Sequence, residues 1–222
     1  GDADGFGPGG QQGFSDQNGC YGCVAVNPPD DAFDTWQSYR TRLLCNYAIR
    51  AGEYGGDGNG YKLGRGLPPE GSWTHSVAGE WYLSRALVRG NLAIDCDQRG
   101  FDNNTGADSD VHHNTAINSG WREFDFHLPG GNPTPLPPGN INTNLVRNNA
   151  AYGPNSLHTA TLALASGNVT GLGTTYLVSV TAPPTSAFDG LSGEDAFALL
   201  ETGAYSSLGR LTPDAPVTAP DI

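Results

Sequence analysis

Asp4, Asp30, Asp31, Asp34 and Lys62 are the residues of this chain whose types and spacing suit them to joint chemistry. Several carboxylates held together offer the oxygen ligands that hard divalent cations such as calcium take. Held together without a cation, they would repel one another and raise each other's pKa. An amine beside such a site can accept a proton only in its neutral form, and its ordinary pKa is about 10.4, so proton abstraction there would favour alkaline conditions. Taken alone, Asp30-Asp31 is what a solvated acidic turn looks like, and an isolated lysine is an ordinary surface residue. The chemistry therefore depends on elements that bring all five side chains to one place.

A repeat in the spacing supplies those elements. An Asn-like residue, followed two places later by Ala and then by an apolar residue, recurs as Cys23-Val-Ala-Val26, Asn46-Tyr-Ala-Ile49, Asn91-Leu-Ala-Ile94, Asn114-Thr-Ala-Ile117 and Asn149-Ala-Ala-Tyr152. Successive copies start 23, 45, 23 and 35 residues apart. A second pattern ends in an aromatic: Asp4-Gly-Phe6, Asp31-Ala-Phe33, Asn59-Gly-Tyr61, Arg99-Gly-Phe101 and Arg122-Glu-Phe124. Four of these follow a copy of the first pattern, by 10 residues in three pairs and by 15 in the other. Two motifs kept in register at a period of twenty-odd residues predict an all-β solenoid, each coil laying short strands on the next at about 4.8 Å. Ala, Ile and the aromatics are expected to fill the bore. The Asn column is expected at a bend, bonding the backbone and its neighbours above and below.

Stacking then sorts the chemistry. Asp4, Asp31 and Asn59 fall in one column, and Gly7, Asp34 and Lys62 in another, with Asp30 just before Asp31. Four carboxylates gather over two coils, and Lys62 lies one coil from Asp34. The stretches from Gly64 to Glu80 and from Leu128 to Asn140 interrupt the register and are expected as loops leaving the solenoid. Beyond about Ser166 the register weakens. Residues 1–165 are therefore expected as coils carrying the site. Residues 166–222 should form the last coil or coils and an irregular tail packed outside, with a short helix over 192–201.

Composition bounds the partners. The 222 residues include 32 Gly and 16 Pro, which favours frequent turns, while 37% hydrophobic content argues for a buried core. A net charge of −12 with no basic run lacks the electrostatic footprint of a nucleic-acid binder. No stretch is long and apolar enough to span a bilayer. The opening Gly1-Asp2-Ala3-Asp4 is expected to be the start of a mature, trimmed or fragmentary chain. Cys20-Tyr-Gly-Cys23 has zinc-like spacing, but no second such pair or nearby His completes a site, so Cys20, Cys23, Cys45 and Cys96 are expected in structural or disulfide roles.

Ala3-Asp4-Gly-Phe6, Asp30-Asp31-Ala-Phe-Asp34, Gly58-Asn-Gly-Tyr-Lys62-Leu-Gly64 and Arg99-Gly-Phe-Asp-Asn-Asn104 together resemble, in order and spacing, the landmark segments of family 9 polysaccharide lyases. The resemblance covers roughly residues 1–152. It implies a right-handed parallel β-helix with inserted loops, short of the family's N-terminal coils. It implies Ca2+ held by Asp4, Asp30, Asp31 and Asp34, Lys62 as catalytic base, and an acidic polysaccharide such as pectate as substrate. A secreted monomer goes with that activity. Two further departures stand out: Ala32-Phe33 replaces the family's Gly-Trp, and the third coil is compact before Lys62 and enlarged after it. Such a site suits removal of the C5 proton of a uronate unit, with loss of the C4 glycosidic oxygen. Arg65, three residues beyond Lys62, is a candidate for holding a second substrate carboxylate. The rival readings are a non-catalytic carbohydrate-binding or adhesive β-helix and a β-helical glycoside hydrolase, because fold alone does not define function.

Overall fold

A computed structural model describes residues 3–8, 15–16, 18–36, 38–64, 82–104, 106–107, 109–126, 144–152, 157–159, 164–166, 168 and 185–192, with isolated positions beyond. Its strands are two to five residues long and pair in parallel, each with its counterpart one coil away. No residue's own coil can bury it; burial comes from stacking, so short strands suffice. The result is a parallel β-helix with three principal sheets.

The first pattern forms a five-stranded sheet of Val24–Val26, Tyr47–Ile49, Leu92–Ile94, Thr115–Ile117 and Ala150–Tyr152, paired Ala on Ala through Ala25, Ala48, Ala93, Ala116 and Ala151. The second forms another, of Phe33–Asp34, Tyr61–Lys62, Arg99–Asp102, Arg122–Phe126 and Leu157–Thr159. Within it Phe6, Phe33, Tyr61, Phe101 and Phe124 stack nearly parallel, with centroids 5.1, 4.9, 4.6 and 4.8 Å apart in succession. These offsets are those that aromatic pairs favour. The glycines before three of these rings, Gly5, Gly60 and Gly100, leave no room for a side chain: a Cβ at Gly60 would lie 2.7 Å from the Gly100 carbonyl oxygen and 2.9 Å from the Ala93 methyl.

The asparagine column is a hydrogen-bonded ladder. Asn46 accepts at Oδ1 from the Cys23 amide, Asn91 from the Asn46 amide and side chain, Asn114 from Asn91, and Asn149 from Asn114. Each Nδ2 also donates to a carbonyl of the preceding coil, as Asn91 does to Leu43 at 2.8 Å. These bonds satisfy amides that are buried in the bore-side bend, where an unmade bond would be costly. The ladder runs one step further than the sequence pattern, because Asn149 donates to Asn168 Oδ1. Thr170 stands where the pattern demands Ala.

Two features differ from the sequence expectations. A third, six-stranded sheet precedes the Asn column, formed by Gly19–Tyr21, Arg42–Leu44, Leu87–Arg89, Asp110–His112, Leu145–Arg147 and Leu164–Ser166. Its middle residues, Cys20, Leu43, Val88, Val111, Val146 and Ala165, pair in one column. The isoleucines, moreover, do not fill the bore. Alternation along a strand sends Ala inward and its neighbours outward, so Ile49, Ile94 and Ile117 form a second apolar cluster with Tyr47 and Leu92. Phe188 packs against that cluster. Among the described residues, the bends flanking the Ala-centred sheet each turn on a left-handed residue: Gly22, Cys45, Gly90, His113 and Asn148 before it, and Asn27, Arg50, Asp95 and Asn118 after it.

Of the two stretches expected to leave the solenoid, Gly64 to Glu80 lies outside the described residues except for Gly64 itself, and Leu128 to Asn140 lies wholly outside them, as does most of the helix expected over 192–201. The four cysteines are free thiols, with Cys96 buried. Among the described residues no helix is long and apolar enough to cross a membrane.

Candidate metal centre and base

Register on the aromatic sheet builds the site. Phe33 pairs with Tyr61, which places Asp34 directly beside Lys62. Phe6 bridges to Phe33 from the other side, and the Gly5 amide donates to the Asp31 carbonyl, drawing Asp4 onto the same corner. The column continues past Lys62 to Asp102 and Asp125.

The Lys62 ammonium lies 2.8 Å from Asp31 Oδ2, 2.8 Å from Asp57 Oδ2 and 3.8 Å from Asp34 Oδ2. Asp31 is wholly buried. Its Oδ1 accepts from the Asn59 amide and side chain at 2.9 and 2.8 Å. Its Oδ2, by contrast, receives no well-directed hydrogen bond among the described residues, although Lys62 is at ion-pair distance. Asp34 Oδ1 accepts from the Trp36 amide at 2.7 Å, and Asp30 Oδ1 from the Asp57 amide.

The expected quartet thus arrives as two overlapping triads. Asp4, Asp31 and Asp34 form one, and Asp30, Asp31 and Asp57 the other; within each, one oxygen per residue lies within 4.8 Å of the others. Asp57 went unnoticed in the sequence because its signal is a bend, Gly55-Gly-Asp-Gly-Asn59, and not a repeat position. Arg65 lies outside the described residues.

Electrostatics records the crowding. Burial, then the charges of Asp31 and Asp30, raises Asp4 to about 6. Burial raises Asp34 to about 7, with Asp31 and Asp4 adding to it against the pull of Lys62. Asp31 is also raised by burial, in spite of Lys62 and Asn59. For Lys62, burial favours the neutral form, but its close contacts with Asp31 and Asp57 and the charges of Asp31 and Asp34 together hold it well above the ordinary lysine range. Three carboxylates stand within 3.8 Å of one ammonium, Asp4 and Asp30 complete the two triads, and a buried carboxylate oxygen lacks a directed donor. Hard, all-oxygen donor groups in that state fit calcium.

Stacked parallel coils with this corner define a pectate-lyase-like β-helix fold. A structural comparison agrees: the chain is similar to a crystal structure of pectate lyase Pel9A, with a TM-score of 0.62 and 25% sequence identity. The match covers 96% of this chain and 48% of that one, so the chain spans about half the length of the solved protein. No family model and no curated protein sequence matches.

Proposed function

We propose that the chain is a calcium-dependent lyase that cleaves pectate or a related polyuronate by β-elimination, with Lys62 as base. The observation that carries this reading is the placement of Lys62. It is the single lysine of the sequence, it pairs in register with Asp34, and it sits between two acidic triads. Asp4, Asp30, Asp31 and Asp34 would hold the cation, with Asp57 as a fifth candidate. Bound there, calcium would act as a Lewis acid that withdraws charge from the substrate carboxylate and so acidifies C5.

Lys62 takes the C5 proton; the C–H electron pair forms the C4–C5 double bond, and the C4 glycosidic oxygen leaves. To serve, Lys62 must first lose the proton that Asp31, Asp34 and Asp57 hold on it. Any weakening of those ion pairs moves it toward the neutral form, and activity is expected to rise into the alkaline range. The same ion pairs are what a non-catalytic carbohydrate-binding β-helix would show, and product chemistry separates the two readings: elimination leaves an unsaturated, ultraviolet-absorbing end.

Calcium binding has its own signature. Asp34 and Asp4 titrate near 7 and 6 in the folded chain, above the ordinary carboxylate value of 3.8. Their folded pKa values are raised, so their contribution favours the folded state at low pH and is lost as pH rises through about 6 to 7. Calcium must displace those protons. Its affinity is expected to rise at least tenfold from pH 5 to pH 8, with proton release visible by calorimetry in buffers of different ionisation enthalpy. Asp31→Ala with Asp34→Ala should abolish that binding at both pH values; unchanged affinity in the double variant would place the ion elsewhere.

A further inference from the structure

The outer face of the aromatic sheet extends beyond Lys62. In the next two coils it carries Arg99 and Arg122, paired in register. The Gly60 amide donates to the Arg99 carbonyl, so these arginines continue the column of Asp4, Asp31 and Asn59. Arg99 Nε donates to Asp125 Oδ2 at 2.8 Å and Arg122 Nη1 to Asp125 Oδ1 at 2.7 Å. One buried carboxylate therefore fixes two guanidinium groups. Arg99 Nη1 also donates to Asn59 Oδ1 at 3.4 Å and lies 3.7 Å from Asp102 Oδ2. Trp121, at the bend before Arg122, has both guanidinium carbons over its ring, at 4.0 and 4.7 Å, yet is 43% exposed.

Two stacked cations repel, and here Asp125 and the ring quadrupole offset the repulsion. The forks are then pre-organised, so binding a planar anion would cost little further side-chain entropy. The bonds of Arg99 engage Nε and Nη1 of a five-donor fork, leaving its Nη2 donors uncommitted among the described residues. An exposed tryptophan beside such forks offers an apolar surface for the C–H face of a sugar ring. Coils repeat at about 4.8 Å, so the arginines stand roughly 5 and 10 Å along the axis from the level of Lys62.

We propose that Arg99, Arg122 and Trp121 form a subsite for free uronate carboxylates, one and two coils beyond Lys62, along which an acidic polysaccharide lies. This rests on the polyuronate reading and adds to it a requirement: the units over these coils must be unesterified. The probes are hexagalacturonate and its fully methyl-esterified form, titrated calorimetrically at fixed calcium into the wild-type chain and Arg122→Gln, Arg122→Lys and Trp121→Ala. Arg122→Gln leaves Asp125 paired with Arg99 and is expected to fold; circular dichroism checks each variant.

Arg122→Gln should bind hexagalacturonate at least tenfold more weakly, Arg122→Lys should recover part of the loss, and the esterified probe should bind weakly to all. KM should rise with kcat nearly unchanged, and calcium affinity should stay the same. Unchanged hexagalacturonate affinity in folded Arg122→Gln and Trp121→Ala, equal binding of the esterified probe, or no binding by the wild type would overturn the subsite. Elimination at an unchanged KM in Arg122→Gln sinks the subsite alone. Arginine-dependent binding without unsaturated product sinks the lyase reading and leaves the subsite standing.

Discussion

Lys62→Met should lower β-elimination of polygalacturonate by roughly 100- to 10,000-fold, the contribution typical of a positioned general base. Methionine keeps the apolar stem of the side chain while removing the amine. The substitution also takes a positive charge from 2.8 Å beside the buried Asp31 carboxylate. Without calcium, that carboxylate is left facing Asp4, Asp34 and Asp30, so the variant should be less stable than wild type at neutral pH and recover on adding calcium. Its calcium affinity should be at least that of wild type, because a competing cation is gone. Lys62→Arg retains the charge but not an accessible neutral form, and is expected to be inactive as well. Because Lys62 is the chain's single lysine, selective isotope labelling reports its Nζ titration without overlap. Full retention of rate in folded Lys62→Met would remove Lys62 from the chemistry.

Phe101→Ala is expected to cost about 3 to 5 kcal/mol of stability, the range for deleting a large buried aromatic. Phe101 is fully buried between Tyr61 and Phe124, with both neighbours in stacking contact. Removing it opens a cavity in the middle of the column and breaks two ring pairs, each worth about 0.5 to 1.5 kcal/mol beyond its area. Denaturant unfolding followed by near-ultraviolet circular dichroism measures the shift. An unmoved midpoint would put the ring on the surface and undo the register from which the site is built.

That register was legible because asparagine and aromatic residues are chemically distinctive. A buried Asn column tolerates little else, and the aromatic pattern that follows it aligns Asp34, next after Phe33, with Lys62, next after Tyr61, as the strand pairing bears out. The six-stranded sheet was legible too, yet easily passed over. Its middle residue stands three places before the Asn-like residue in every coil, from Cys20 and Cys23 to Ala165 and Asn168. Because that residue varies among Cys, Leu, Val and Ala, only its apolarity repeats. The outward isoleucines misled for a physical reason: on a half-buried strand an apolar residue signals a covering surface as readily as a core, and here Phe188 is part of the cover. Asp57 was hidden because it reaches the site from a bend, where spacing follows turn geometry and not strand pairing. Arg99 and Arg122 occupied a recognised register position, but their shared carboxylate, Asp125, becomes visible only once two coils are stacked.

The most direct test of the account is the product formed from polygalacturonate at alkaline pH with calcium. Two readings taken together decide it: ultraviolet absorbance from unsaturated uronate ends and the count of new reducing ends. Both are expected to rise in step, chelation to abolish both, and Lys62→Met to show neither. New reducing ends without absorbance would mean hydrolysis, and neither signal from the folded, calcium-bound wild-type chain would mean a binding protein; either result contradicts the lyase assignment.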